Sequence, residues 1–234
     1  MQRRDFLAGC GVAIGVAGIG ALRESLASVA PHEYSRSRLV DVHGDPFKAS
    51  RLVANTNYVF QYPFAATPCF LLNLGRAAAG VAALRRADGE TYRWEGGIGP
   101  GRSIVAFSAI CAHKLAYPTR EVSFIRFQSD RSPTSDAKVI HCCADHSVYD
   151  PTAGARVLSG PAPQPLAAIL LEYDAERDEL SALGTVGPEQ FDAFFRKYDF
   201  KLALDYGPGK ARLPVGATTT VREMAQYCRQ TIQC

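Results

Sequence analysis

The sequence predicts a mainly β protein with a short helical tail, on three observations. Short runs rich in β-branched and aromatic residues recur between residues 57 and 183, a charged turn separates two of them, and helix signals begin only past residue 187. The expected strands are 57–62 (NYVFQY), 69–72 (CFLL), 103–107 (SIVAF), 122–127 (VSFIRF) and 138–140 (KVI), all built from residues that fit a pleated surface. Residues 169–173 and 179–183 flank the charged segment 174–178 and read as a hairpin. Pro188 then opens a helical stretch over 189–197, with proline at a favourable first-turn position. Thr220-Val221-Arg222-Glu223 has the form of a capping box and predicts a second helix running toward Ile232.

At ~100–200 residues per domain, these elements make one globular unit over 38–186 and a helical C-terminal extension over 187–234. Residues 1–37 form a leader and linker, the stretch 23–38 being polar, irregular and interrupted by Pro31. A net charge of +3 is too small to point to nucleic acid or to an acidic membrane surface.

The chemistry concentrates in three segments. Cys111-Ala112-His113 and Cys143-Ala144-Asp145-His146 each pair a thiol with an imidazole, at spacings too tight for a regular helix or strand to aim both inward. Each pair therefore belongs to a loop, and the two loops must face one another. Gly160-Pro161-Ala162-Pro163-Gln164-Pro165 follows, a stiff run because each proline ring fixes its own φ and restricts the residue before it. A thiolate carries full negative charge onto a metal and a neutral imidazole does not, so two of each suit a centre that accepts electrons readily. The competing use of such residues is a structural Cys2His2 zinc site; zinc motifs more often pair Cys with Cys and His with His. Cys142 is an alternative thiol along a different loop path. Cys143 is preferred because it preserves a Cys-x-x-His spacing.

Together with Ser147, Tyr149-Asp150-Pro151 and Gly154, these segments make residues 62–186 resemble a Rieske iron–sulfur protein. The resemblance implies a small antiparallel β-barrel or sandwich with both cluster-binding loops at one end. It implies one [2Fe–2S] cluster, with Cys111 and Cys143 on the inner iron, His113 and His146 on the outer, and the loop at Gly160 and Pro161 covering it. Ser147 and Tyr149 would donate hydrogen bonds to cluster sulfur. Two departures stand out. Relatives usually read His-x-Ser-x-Tyr after the last ligand, whereas His146-Ser147-Val148-Tyr149 is one residue shorter. Relatives of the respiratory kind tie their loops with a disulfide whose positions are Ala116 and Asp145 in this chain, so the loops are expected to rely on packing. An ionised Asp145 beside the cluster would lower its potential. Cys69, Cys142, Cys228 and Cys234 remain as spare thiols, Cys228 and Cys234 being close enough in sequence to pair.

Gln2-Arg3-Arg4-Asp5-Phe6-Leu7 matches a twin-arginine signal, and the uncharged run 6–22 follows it. At ~1.5 Å per residue that run reaches about 25 Å, short for a membrane span. Small-residue cleavage sites lie at 25–27 and 28–30; retention as an anchor is narrowly preferred. The expected location is the periplasmic side of a bacterial inner membrane.

The resemblance thus implies an electron-transfer subunit of a membrane-associated respiratory complex rather than a stand-alone enzyme. Its partners would be cytochrome b and c subunits with quinol or, in the alternative, the molybdopterin subunit of an arsenite oxidase-like enzyme. Segments 62–69 and 105–108 resemble the small subunit of the latter; Gly-Pro-Ala-Pro favours the former. A Rieske oxygenase would need a second iron held by two histidines and a carboxylate, for which the chain has neither the length nor the context. A zinc-stabilised binding module is the remaining class.

Overall fold

The computed structural model describes residues 29–234. The twin-arginine motif, the apolar run and Cys10 lie outside these residues, and among the described residues no helix is long and apolar enough to cross a membrane. In chain order the elements are β1 His32–Val40, β2 Tyr58–Gln61, β3 Pro68–Asn73, β4 Ala79–Arg85, β5 Thr91–Gly96, β6 Ile104–Ser108, β7 Val122–Ser123 and β8 Ile125–Gln128. They continue with β9 Val139–Cys142, β10 Ser147–Asp150, β11 Arg156–Ser159, β12 Ala168–Asp174 and β13 Glu179–Val186. The chain ends with α1 Phe191–Tyr206, β14 Thr218–Thr220, β15 Arg222–Glu223, α2 Met224–Tyr227 and β16 Gln230–Thr231.

The main sheet has eight strands in the order β14-β1-β13-β12-β6-β3-β2-β15. Its ends approach one another: the Thr219 hydroxyl in β14 donates to the Gln61 carbonyl in β2 at 2.8 Å, so the sheet nearly closes. The central strands show why. In β2, β3 and β6, Tyr58, Phe60, Cys69, Leu71, Ile104 and Ala106 point to one side and pack with Leu39, Leu180 and Ala182. Val59, Phe70, Leu72, Val105 and Phe107 alternate with them on the other side. Both faces are covered, which is why these strands read as unbroken apolar runs rather than as half-buried ones.

The outer face carries the site. A four-stranded sheet, β11-β10-β9-β8, and the β4-β5 hairpin pack on it, with Trp94 and Tyr92 of β5 joining Phe107, Cys111 of the loop after β6, Cys142 of β9 and Tyr149 of β10 in one buried cluster. The ligand loops are therefore continuous with the core.

The mainly β class and the strands expected at 57–62, 69–72, 103–107, 122–127, 138–140 and 169–183 are observed, within a residue or two at most ends and with one break at residue 124. Two expectations are corrected. Residues 32–38, read as linker, belong to β1, which pairs with β13 and β14; the strand looked polar because Arg36 and Arg38 face solvent while Ser37 and Leu39 point inward. The capping-box segment at 220–223 is strand, not helix start: Val221 is buried and Arg222 pairs with Val59, so α2 begins only at Met224. The helix expected at 189–197 forms and runs further, to Tyr206.

Phe107 is fully buried between the main sheet and the site, its ring 5.8 Å from that of Trp94. Phe107→Ala should cost about 3–5 kcal/mol in urea unfolding, whereas Leu204→Ala on the exposed side of α1 should stay within about 0.5 kcal/mol.

Candidate metal centre

The first loop follows β6. Cys111 N–H donates to the Ala116 carbonyl at 2.9 Å and Leu115 N–H to the Cys111 carbonyl at 3.0 Å, closing a tight turn that presents Cys111 and His113. The second loop is the β9-β10 hairpin. Cys142 pairs with Ser147, leaving residues 143–146 as the turn; His146 closes it at φ 60, with its N–H on the Cys142 carbonyl at 2.7 Å.

Strand alternation then decides which side chains meet. Ile140, Cys142, Ser147 and Tyr149 lie on one face of the hairpin, and His141 and Val148 on the other. The first face turns toward Cys111. As a result the Cys111 and Cys142 sulfurs and an Asp145 carboxylate oxygen all lie within 4.8 Å of one another. Asp145 Oδ2 accepts from Cys111 Sγ at 3.2 Å and lies 3.0 Å from His113 Nδ1, while Oδ1 accepts the Ser147 N–H at 2.9 Å. The Asp145 side chain is 2% exposed and that of His113 35% exposed. The Tyr149 hydroxyl accepts the Ala112 N–H at 3.1 Å, leaving its own proton for Cys111 Sγ at 3.5 Å.

Two of the four expected ligands lie away from this meeting point. Cys143 is joined to Cys234 in a disulfide on the reverse side of the hairpin. His146 is exposed there too, its ring centroid 5.8 Å from that of His141. Cys142 meets Cys111 where Cys143 was expected to, because period-two geometry aims residue 142, not 143, at the first loop. The sequence held a signal for this. Counting from Asp145 instead of His146 keeps the first spacing, as Cys142-x-x-Asp145, and restores the one that was a residue short, as Asp145-x-Ser147-x-Tyr149. The disulfide ties the second loop covalently to Cys234, and Cys228, whose pairing the sequence left open, is a free thiol among the described residues, donating to the Thr119 carbonyl at 2.8 Å.

The electrostatics ask for a cation. A hydrogen bond shared with Cys142 holds the Cys111 thiol below its usual range and pushes Cys142 up, so Cys111 ionises first. Burial pushes the Asp145 carboxyl up, but the Ser147 N–H and the Cys111 thiol more than offset that and leave it below the ordinary carboxylate range. Burial keeps the Tyr149 phenol protonated, as a donor to sulfur must be. Anionic groups thus converge in a dry pocket where, among the described residues, the ion-pair partner of Asp145 is His113. Uncompensated, such convergence is costly. Two thiols and a carboxylate that meet, with an imidazole on the carboxylate, are donors that fit an iron–sulfur or comparable metal group.

The rest of the chain holds the loops together. Ala162 N–H donates to Ser147 Oγ at 3.1 Å, which seats the proline run on the hairpin, and Ala162 packs with Cys111, Cys142 and Tyr149. Gly160 is required there: at φ 87 a Cβ would lie 2.5 Å from the His146 carbonyl oxygen and 2.6 Å from Ser147 Cα. Ser147 serves this cover and not, in the structure, a sulfur. On the other side α1 braces the first loop, with Gln190 Nε2 donating to the Ala112 carbonyl at 2.8 Å, Lys197 bonded to the Lys114 carbonyl, and the Phe194 ring edge-on to Tyr117 at 4.8 Å. The tail braces the second loop through β16, which pairs with β7, and through Cys234.

No protein-family model matches the chain. Among solved structures it is similar to the soluble domain of the Rieske protein II (soxF) from Sulfolobus acidocaldarius, at 26% sequence identity over 65% of this chain and 78% of that one, with a TM-score of 0.46.

Cys143 and Cys234 are 91 residues apart, so opening their bond releases a long loop in the unfolded chain. Cys234→Ser should cost about 2–4 kcal/mol of stability, read as a lower Tm, while metal uptake at the pocket is retained because neither cysteine faces it.

Proposed function

We propose that this chain is a Rieske-type electron-transfer protein that holds one [2Fe–2S] cluster between its two loops and works as a subunit of a periplasm-facing respiratory complex. The observation that carries the reading is the meeting of Cys111 and Cys142 from separate loops, under a Gly-Pro-Ala-Pro cover and with Tyr149 donating to the Cys111 sulfur. When bound, such a cluster takes up and releases one electron at a time.

The protein's part is to hold and tune. Cys111 and Cys142 supply thiolates from the buried side, and His113 supplies an imidazole from the side that reaches solvent. The proline run and Ala162 keep water from the thiolates, which favours retention of the metal group and strengthens every nearby charge and dipole. His113, being part-exposed, is the edge at which a partner would dock and the group able to hydrogen-bond quinol. Quinol oxidation with delivery to cytochrome c is therefore the first reading of the complex. The second, the small subunit of an arsenite oxidase-like molybdenum enzyme, is supported by the segment 62–69, which connects β2 to β3 and opens β3, and by 105–108 in the adjacent β6. The twin-arginine leader supports export of a chain folded around its cofactor in the cytoplasm.

Electron paramagnetic resonance of the dithionite-reduced protein tests the cluster: a [2Fe–2S] signal of low average g is expected, and a silent, zinc-containing sample would refute it. Purification with native partners tests the complex: a b-type cytochrome indicates quinol oxidation and a large molybdopterin polypeptide the other assignment. Tyr149→Phe removes a hydrogen bond that stabilises the more negative, reduced state. At ~0.5–1.5 kcal/mol per bond, with 59 mV per tenfold for one electron, the midpoint should fall by on the order of 20–60 mV in a redox titration.

A further inference from the structure

We propose that Asp145 Oδ2 supplies the fourth ligand, so that the outer side of the site consists of one imidazole, His113, and one carboxylate instead of two imidazoles. This rests on the cluster reading above and concerns which residues of this chain complete it.

Three independent observations carry it. Asp145 Oδ2 is the oxygen that faces the thiols and the imidazole, 3.2 Å from Cys111 Sγ and 3.0 Å from His113 Nδ1, while Oδ1 is held by the Ser147 N–H; the carboxylate is oriented by one oxygen and presents the other. Next, the side chain is 2% exposed, and its ion-pair partner among the described residues is a histidine that also faces the site, which leaves a buried carboxylate in need of a cation. Finally, the other histidines near the hairpin among the described residues do not compete: His141 lies on its reverse face, with Nδ1 bonded to Ser135 Oγ at 3.0 Å, and His146 is carried to the exposed side of the turn by its left-handed backbone.

The consequence is electrostatic. A carboxylate brings a negative charge where a neutral imidazole brings none, so the oxidised site gains less from taking an electron. The potential lies below that of a site with two imidazoles in the same surroundings, and the partner that receives its electron can be a correspondingly weaker oxidant. Only one imidazole, His113, is left to meet that partner.

The test uses the full chain loaded with iron and sulfide, reduced with dithionite and examined by pulsed electron paramagnetic resonance for nitrogen bound to the cluster. One strongly coupled imidazole nitrogen is expected in the native protein, the same spectrum in His146→Ala, and two nitrogens with a raised midpoint in Asp145→His. Two nitrogens in the native protein, one of them lost in His146→Ala, would overturn the assignment while leaving the cluster reading intact. Absence of any [2Fe–2S] signal in the native protein would instead remove the cluster reading, and the ligand assignment with it. If Asp145→His does not fold, the nitrogen count of the native protein and of His146→Ala still decides.

Discussion

The arrangement depends on one constraint, the two-residue period of the β9-β10 hairpin. Once Cys142 pairs with Ser147 across it, residues 140, 142, 147 and 149 must share a face and residues 141 and 148 the other. That places one thiol and one phenol against the first loop, and one hydroxyl under the proline run, in a single step. It also sends the neighbouring thiol, Cys143, away from the site, where the disulfide to Cys234 takes it up. A slip of one residue would exchange the two cysteines and bury His141 and Val148 against Cys111 instead.

The hairpin is held in that register from three directions. Gly160 lets the proline run approach its backbone more closely than any side chain would allow, the tail is bonded to it at Cys143, and the core beneath it, from Phe107 through Trp94 to Ile140, is continuous with the main sheet. The first loop has its own brace in α1, through Gln190 and the aromatic contacts of Tyr117. Residues past 187 therefore act on both loops, which gives the extension a role in keeping the loops at a fixed separation. Such preorganisation would serve the proposed electron transfer, because a site that moves little between two charge states wastes little energy on rearrangement.

Much of this was legible in the sequence. The strands β2, β3, β6, β12 and β13 were readable because both of their faces are buried and their apolar runs are unbroken. β1 was not, since its outward arginines and serines give it the composition of a linker, and its place comes from pairing with β13 and β14, partners far along the chain. β4 was missed for a related reason: AGVAALR has little β-branched content, and its place comes from pairing with β5. For the site, the ligand loops, Tyr149 and the cover at Gly160 were visible as motifs. The identity of the second thiol was not, because a Cys-x-x-His match outweighed the missing residue between His146 and Tyr149. Only the hairpin's geometry shows which of the two regularities the fold keeps.

The measurement that bears most directly on the account is the iron and sulfide content per chain of Cys142→Ser and Cys143→Ser after identical loading. The geometry predicts that Cys142→Ser loses the bound iron and sulfide while Cys143→Ser keeps them, at reduced thermal stability. Retention in Cys142→Ser with loss in Cys143→Ser would contradict it.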